Sequence, residues 1–313
     1  MMNESVLILN YGSQYTQLIA RRVRELSVYC EILPFSATDR EVLSRRPRAI
    51  ILSGGPASVT DEDAPPLSQS ILDLRIPILG ICYGVQVLTR TLGGRIEPAE
   101  IREYGRAHLV AVEKDGIFSE CDEDDVLQVW MSHGDHVTKP APGFSVVART
   151  ADGVIAALED NERNIWGVQF HPEVVHTPSG LKMISAFLSR ANLQRDWTPL
   201  RFVEEAVERI REQVGDARVI CGLSGGVDSA VAASLIYKAI GDRLTCVFVD
   251  NGLLREGEAE QVVSIFGSGL GYDLRAVDAR ARFLDELKGI TDPELKRKTI
   301  GRVFVEVFEE VAK

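Results

Sequence analysis

The chain has 313 residues, 45% hydrophobic and 26% charged, a length that suits two domains of ordinary size, each with its own core. Its formal net charge of −11 excludes a nucleic-acid or anionic-membrane partner that depends on a basic surface, so any bound nucleotide must be held by local groups. The five cysteines, Cys30, Cys82, Cys121, Cys221 and Cys246, include no Cys-x-x-Cys pair, and their odd number fits a reducing cytoplasm better than a disulfide framework. Met1 to Ser5 carries no basic leader or cleavage site, and no apolar stretch reaches membrane-spanning length.

Apolar β-branched runs at Val6 to Leu9, Ala49 to Leu52 and Ile76 to Ile81 alternate with helical patterns such as Tyr15 to Leu26. This predicts a parallel, doubly wound sheet. After the second run comes Ser53-Gly54-Gly55-Pro56, which reads either as an ordinary turn or as backbone N–H donors that join that of Tyr83 around an oxyanion. The third run delivers Cys82 into Gly80-Ile81-Cys82-Tyr83-Gly84, ahead of a helical Val85 to Leu92. Small residues two places on either side of a nucleophile are what a sharp strand-turn-helix elbow requires, and the helix N-terminus favours the thiolate. The other cysteines lack flanking glycines on both sides and read as structural.

From about Ala107 to Phe170 the pattern changes to short, closely spaced strands, expected to pair antiparallel, with a hairpin turn at Asp160 to Asn164. His171-Pro172-Glu173 follows. In an extended chain residues two apart share a side, so the base His171 and an orienting Glu173 are expected to face Cys82 together, with Pro172 stiffening them. His133, in Ser132-His133-Gly134-Asp135, is the rival base because it too sits beside a carboxylate; His108, His136 and His176 are weaker competitors.

A helix over Ser179 to Leu188 closes a first domain, placed at residues 1–193, with 194–199 as linker and 200–313 as the second domain. There the expected order is helix 200–214, strand 218–223, helix 229–240, strand 244–249, helix 256–267, strand 273–277 and further helices. The segment from Arg218 to Ile240 is a strand, a glycine loop and a helix start. Gly225 and Gly226 let backbone N–H groups approach an anion, Ser224 and Ser229 add hydroxyls, and Asp228 reads as an N-cap or a magnesium ligand. The loop lacks the Gly-x-x-x-x-Gly-Lys spacing, so no lysine follows a migrating γ-phosphate, and it suits a pyrophosphate held while it leaves. A plain glycine turn capped by Asp228 is the bland alternative. The chain stops at Lys313 inside an amphipathic pattern that begins at Asp292, without an exit signal, and a longer protein is expected.

Gly80-Ile-Cys-Tyr-Gly-Val-Gln86 and Val168-Gln-Phe-His-Pro-Glu173 resemble a class I, triad-type glutamine amidotransferase. Ser224 to Ser229, Leu244 to Arg255 and Lys296 to Gly301 resemble the N-type ATP pyrophosphatase domain of the glutamine-hydrolysing GMP synthase family, as do Trp130 to Asp135 and Tyr11 to Ala20 in the first block. The resemblance implies an α/β chain of two domains, a flavodoxin-like mixed sheet followed by an adenine-nucleotide α-hydrolase-like parallel unit. It implies Cys82 as nucleophile, His171 as proton shuttle and Glu173 as its orienter, with Gly55 and Tyr83 at the oxyanion and Gln86, Ser132, Gly134 and Asp135 along glutamine. It further implies ATP and Mg²⁺ at Ser224, Gly225, Gly226, Val227, Asp228, Ser229 and Ala230, adenine near Val249, Asp228 or Asp250 at magnesium or ribose, and xanthosine monophosphate as the aminated substrate. Two departures are visible: Asn10 and Tyr11 stand where the family has aspartate and phenylalanine, and the rest of the pyrophosphatase domain, with a domain that makes a homodimer, would follow Lys313. The rival readings are another glutamine-fed adenylating synthetase of the NAD or asparagine type, a cysteine hydrolase fused to a nucleotide module, and a non-catalytic nucleotide-binding fragment.

Overall fold

A computed structural model describes residues 5–110, 112–122 and 127–313, with the side chains of 100–103 left aside. Met1 to Glu4, read above as leaderless, lies outside the described residues. The chain divides into two compact units, Met1–Thr198 and Pro199–Lys313.

In the first unit, β1 (Ser5–Asn10), β2 (Tyr29–Pro34), β3 (Ala49–Leu52), β4 (Ile78–Ile81) and β9 (Ile165–Val168) form the parallel part of a nine-stranded sheet, ordered β2-β1-β3-β4-β9. β3, β4 and β9 are buried along their whole length, as strands covered on both faces must be, which is why they read as continuous apolar runs. The crossovers carry α1 (Thr16–Glu25), α2 (Asp39–Arg45), α3 (Gln69–Asp73) and α4 (Tyr83–Thr91), and α5 (Gly180–Arg190) follows β9. α2 opens on a full capping box, Thr38 to Glu41.

The sheet continues antiparallel through β8 (Ile155–Asp160), β7 (Ser145–Thr150), β5 (Arg95–Val110) and β6 (Gln128–Lys139). The expected hairpin at 160–164 is present, with Asp160 opposite Ile165. The expectation of short strands is corrected: β5 runs for 16 residues and β6 for 12, and the antiparallel region begins at Arg95 rather than near Ala107. β6 alternates buried and half-exposed positions almost throughout, but two buried positions are His133 and Asp135, so the apolar alternation that marks a strand is interrupted in the sequence.

α4 lies unusually close to the sheet. A Cβ on Gly84 would fall 2.8 Å from Leu52 Cβ on β3, and one on Gly80 would fall 2.7 Å from Val85 N on α4. These two glycines are a packing requirement as well as part of the elbow.

The second unit holds a three-stranded parallel sheet, β10 (Val219–Leu223), β11 (Leu244–Asp250) and β12 (Asp273–Asp278), in that order. α6 (Pro199–Val214), α7 (Val227–Ile240), α8 (Glu258–Val262), α9 (Arg280–Leu287) and α10 (Pro293–Ala312) surround it. One core joins α6 and α7 to β10 and β11, and a second joins α9 and α10 to Val247 and Val249. The helix expected over 256–267 is corrected: it begins at Glu258 and after Val262 widens into a seven-residue π-helix, Val263–Gly269, ending in a glycine-rich stretch. Among the described residues no helix is long and apolar enough to cross a membrane.

Gly84→Ala is expected to cost about 1–3 kcal/mol of stability through overpacking against Leu52, measured as a lower urea midpoint at unchanged slope.

Candidate active site

Four parallel strands end on the same edge of the sheet, where ligand sites of open α/β sheets form. β1 runs into Tyr11–Tyr15, β3 into Ser53–Gly55, β4 into Cys82, and β9 into the segment that reaches His171. Ser53 N–H donates to Leu9 O (3.0 Å), Cys82 N–H to Val168 O (2.8 Å) and His171 N–H to Trp130 O (3.0 Å), so the loops are pinned to neighbouring strands.

Cys82 sits at the elbow with φ 52° and ψ −107°, directly before α4. A side-chain residue at positive φ is strained, and such strain persists only where the surroundings over-determine it. Its sulfur donates to Ser132 O (3.6 Å) and is near enough to His171 to interact with it electrostatically. His171 Nδ1 is 2.7 Å from Glu173 Oε1, and Glu173 is completely buried behind it. The three side chains therefore form a series from sulfur to imidazole to carboxylate. The expected route to this contact is corrected: β9 ends at Val168, and His171 to Glu173 meet across a turn rather than along an extended strand.

Burial alone would lower the His171 pKa, but the Glu173 carboxylate and the Cys82 sulfur outweigh it and raise it to about 10. At His133 burial is the largest effect, and its pKa falls to about 4. The two histidines thus differ in kind: the His171 pKa is raised and the His133 pKa lowered from the ordinary histidine value.

The cleft over the sulfur has a volume of about 400 Å³ and is lined by Gly55, Cys82, Gln86, Ser132, Gly134, Asp135 and His171, within the range of small-molecule sites. Tyr83 contributes no side chain to the cleft: its buried hydroxyl donates to Pro65 O (2.7 Å), and its candidate role rests on the backbone N–H at the start of α4. Gln86 Nε2 donates to Asp135 O (2.8 Å), and Ser58 donates to Asp135 Oδ2 (2.5 Å), which ties the Ser53–Thr60 loop to β6.

Sequence reasoning assigned no role to Gly12, Ser13, Gln14, Tyr15, Pro56, Ala57 and Tyr104, which also line the cleft. The signal for the first four was available: an Asn-x-Gly turn immediately after an apolar strand. Asn10 Oδ1 accepts the Gly12 N–H (2.9 Å) and the Thr16 hydroxyl (2.8 Å), and Tyr11 OH donates to Pro66 O (3.3 Å), so both departures from the family pattern are hydrogen-bonded in place. Tyr104 had no such signal, since only the long β5–β6 pairing sets it opposite Ser132.

In the second unit the loop Ser224 to Ser229 is exposed and closed on itself. The Ser224 and Ser229 hydroxyls are 3.0 Å apart, Ser224 N–H donates to Ser229 Oγ (3.2 Å), and Ser229 donates to Gly226 O (3.0 Å). Gly225 takes φ +81°, which only glycine adopts freely. The capping role expected for Asp228 is corrected: Gly226 is the N-cap, α7 begins at Val227, and Asp228 stands exposed in its first turn. Val227 is exposed, Ala230 half-buried, and Val249 is buried in the core. Asp250 is engaged through both oxygens, accepting Gly252 N–H at 2.9 Å and lying 3.7 Å from Arg280 Nε. Among the described residues no group of three or more His, Cys, Asp or Glu could hold a metal ion by itself.

The profile of the family described as Glutamine amidotransferase class-I matches residues 7–191, and that of NAD synthase matches residues 200–272. Proteins named GMP synthase [glutamine-hydrolyzing] are 52% identical in Carboxydothermus hydrogenoformans and 54% in Rhodopseudomonas palustris, each over 99% of this chain and over 61% and 58% of the relative. The chain thus spans about 60% of the length of these curated relatives. A crystal structure of a putative GMP synthase subunit from Thermoplasma acidophilum shares the fold, with a TM-score of 0.54 and 24% identity over 66% of this chain and 99% of that one.

A histidine whose folded pKa is raised contributes stability that is complete below its unfolded value, near 6.5, and lost as pH climbs through the raised one. The unfolding free energy of the native chain minus that of Glu173→Gln is therefore expected to fall steadily between about pH 6.5 and pH 10, followed by urea titrations at each pH.

Proposed function

The chain belongs to the class-I glutamine amidotransferase family, and from that membership we propose that its first unit hydrolyses glutamine to supply ammonia for the ATP-driven amination of xanthosine monophosphate by the complete protein. One observation carries the reading: a cysteine on a strained strand-to-helix elbow, beside a histidine whose pKa is raised and whose ring lies 2.7 Å from a fully buried glutamate.

Cys82 Sγ attacks the side-chain amide carbon of glutamine, and the N–H groups of Gly55 and Tyr83 stabilise the oxyanion that forms. His171 gives its proton to the departing nitrogen, and ammonia leaves a thioester on Cys82. A water deprotonated by His171 then cleaves the thioester and releases glutamate. Glu173 keeps the ring in one orientation and stabilises its charge. Gln86, Ser132, Gly134 and Asp135 bind and orient the rest of glutamine.

In the second unit, backbone N–H groups of Gly225 and of the first turn of α7, Val227 to Ser229, hold the ATP phosphates. Their hydroxyl neighbours shape the loop. The 2-oxygen of xanthosine monophosphate attacks the α-phosphate, pyrophosphate leaves within the loop, and ammonia displaces AMP to give GMP. A magnesium ion shared with phosphates needs only one or two protein carboxylates, which the exposed Asp228 satisfies; Asp250, engaged on both oxygens, fits that part less well. Such an ion, when bound, neutralises phosphate charge. Adenine rests against the backbone at Val249. The greater length of the relatives leaves room for the rest of the nucleotide site and a homodimer surface, and the free cysteines suit the cytoplasm.

Cys82→Ala is expected to lower glutamate release at least about a thousandfold while ammonia-dependent pyrophosphate release by the complete protein stays unchanged. Equal glutamate release from both chains would refute the nucleophile. Pyrophosphate release should require xanthosine monophosphate; support by a deamidated dinucleotide instead moves the reading to NAD synthesis, which the likeness over residues 200–272 favours as the second choice.

A further inference from the structure

Glutamine hydrolysis, as proposed, takes no side chain from the loop after β1, yet Gly12, Ser13, Gln14 and Tyr15 form one wall of the cleft. The loop is rigid. Asn10 Oδ1 accepts both the Gly12 N–H and the Thr16 hydroxyl, Ser13 Oγ accepts the Tyr15 N–H (3.0 Å), and Ser13 O accepts the Thr16 N–H (3.2 Å). Tyr15 is thereby fixed at the N-cap of α1, and its ring centroid lies 5.1 Å from that of His171, with the rings at 73°.

The bond from His171 Nδ1 to Glu173 orients the imidazole from one edge. Two further neighbours flank the ring. The backbone at Gly54 approaches so closely that a Cβ there would lie 3.0 Å from His171 Cε1 and 3.5 Å from Cys82 Cβ. Tyr15 supplies the second contact, in the edge arrangement that aromatic rings prefer and from an anchored segment of backbone.

We propose that Tyr15 is a positioning residue for glutamine hydrolysis, holding the imidazole plane of His171 so that one ring nitrogen stays directed at Cys82. The inference rests on the glutaminase reading above. Its mechanism is indirect: the Tyr15 ring acts through His171, so its loss should slow proton transfer and weaken the imidazolium's hold on the thiolate, while leaving glutamine binding in place. An aromatic ring is what the role needs, and the hydroxyl is dispensable.

The test uses the full chain with Tyr15→Leu and Tyr15→Phe. Two quantities are read: steady-state glutamine hydrolysis, and the pH midpoint of iodoacetamide alkylation at Cys82, mapped by mass spectrometry. Tyr15→Leu is expected to lower kcat by about tenfold or more with KM within about twofold, and to raise the alkylation midpoint by about one pH unit. Tyr15→Phe is expected to match the native chain in both. Native values in Tyr15→Leu, a loss in Tyr15→Phe as large as in Tyr15→Leu, or a rise in KM alone would each overturn the proposal. Alkylation needs no glutamine. A native chain without glutaminase activity would therefore refute the parent reading, whereas an unmoved alkylation midpoint in Tyr15→Leu would refute the positioning role.

Discussion

The closeness of α4 to the sheet governs the first unit. Gly84 lies against Leu52, Gly80 against the first turn of α4, and a Cβ on Gly167 of β9 would fall 2.9 Å from Val85 Cβ. Only with side chains absent at these three points can a helix begin one residue after β4 ends. The chain must then reverse within a single residue, and that residue, Cys82, takes the positive φ. Strain at Cys82 thus goes with the close packing on either side of it, and the sulfur is left at the carboxyl edge beside the ends of β1, β3 and β9.

The same site buries an unusual set of polar groups: His133, Asp135, His171 and Glu173 are each less than a tenth exposed. Burial opposes charge on any histidine, and at His133 that effect wins. At His171 it loses, because an opposite charge 2.7 Å away in a poorly screened interior outweighs the desolvation penalty. The Glu173 carboxylate, with the Cys82 sulfur, therefore shifts one of two buried histidines upward while burial shifts the other downward. Asp135 is treated differently, its carboxylate shared with Ser58, so that it braces the glycine loop as well as lining the cleft.

The second unit follows another logic. Its loop is open rather than enclosed, its serine hydroxyls close the turn, and the donors left for an anion are backbone N–H groups at the start of α7. α7 is apolar around much of its circumference, yet Val227 is 77% and Val231 52% exposed. An apolar helix of that kind ordinarily belongs to a larger packed body, which agrees with a chain spanning about 60% of the length of its curated relatives.

Much of this was legible in the amino-acid sequence, because the relevant signals are local. Unbroken apolar runs marked β3 and β4, paired glycines marked the elbow around Cys82, and the Ser224 to Ser229 spacing marked the glycine turn that opens α7. Histidine and glutamate two apart were visible as a candidate pair, but the turn that joins them was not, since it depends on His171 being tied to Trp130 across the sheet. The length of β6 was hidden by the buried polar residues the site requires, and the place of Tyr104 by a strand pairing that spans tens of residues. Asp228 looked like a cap because caps are read from residue type, whereas the helix start was set by the conformation of Gly226. The sequence by itself determined which chemistry was available, since nucleophile, base and glycine turns are properties of residue type and spacing. Only the tertiary structure decided which groups act together and in what charge state, because contact, burial and the balance between desolvation and a neighbouring charge arise from elements far apart along the chain.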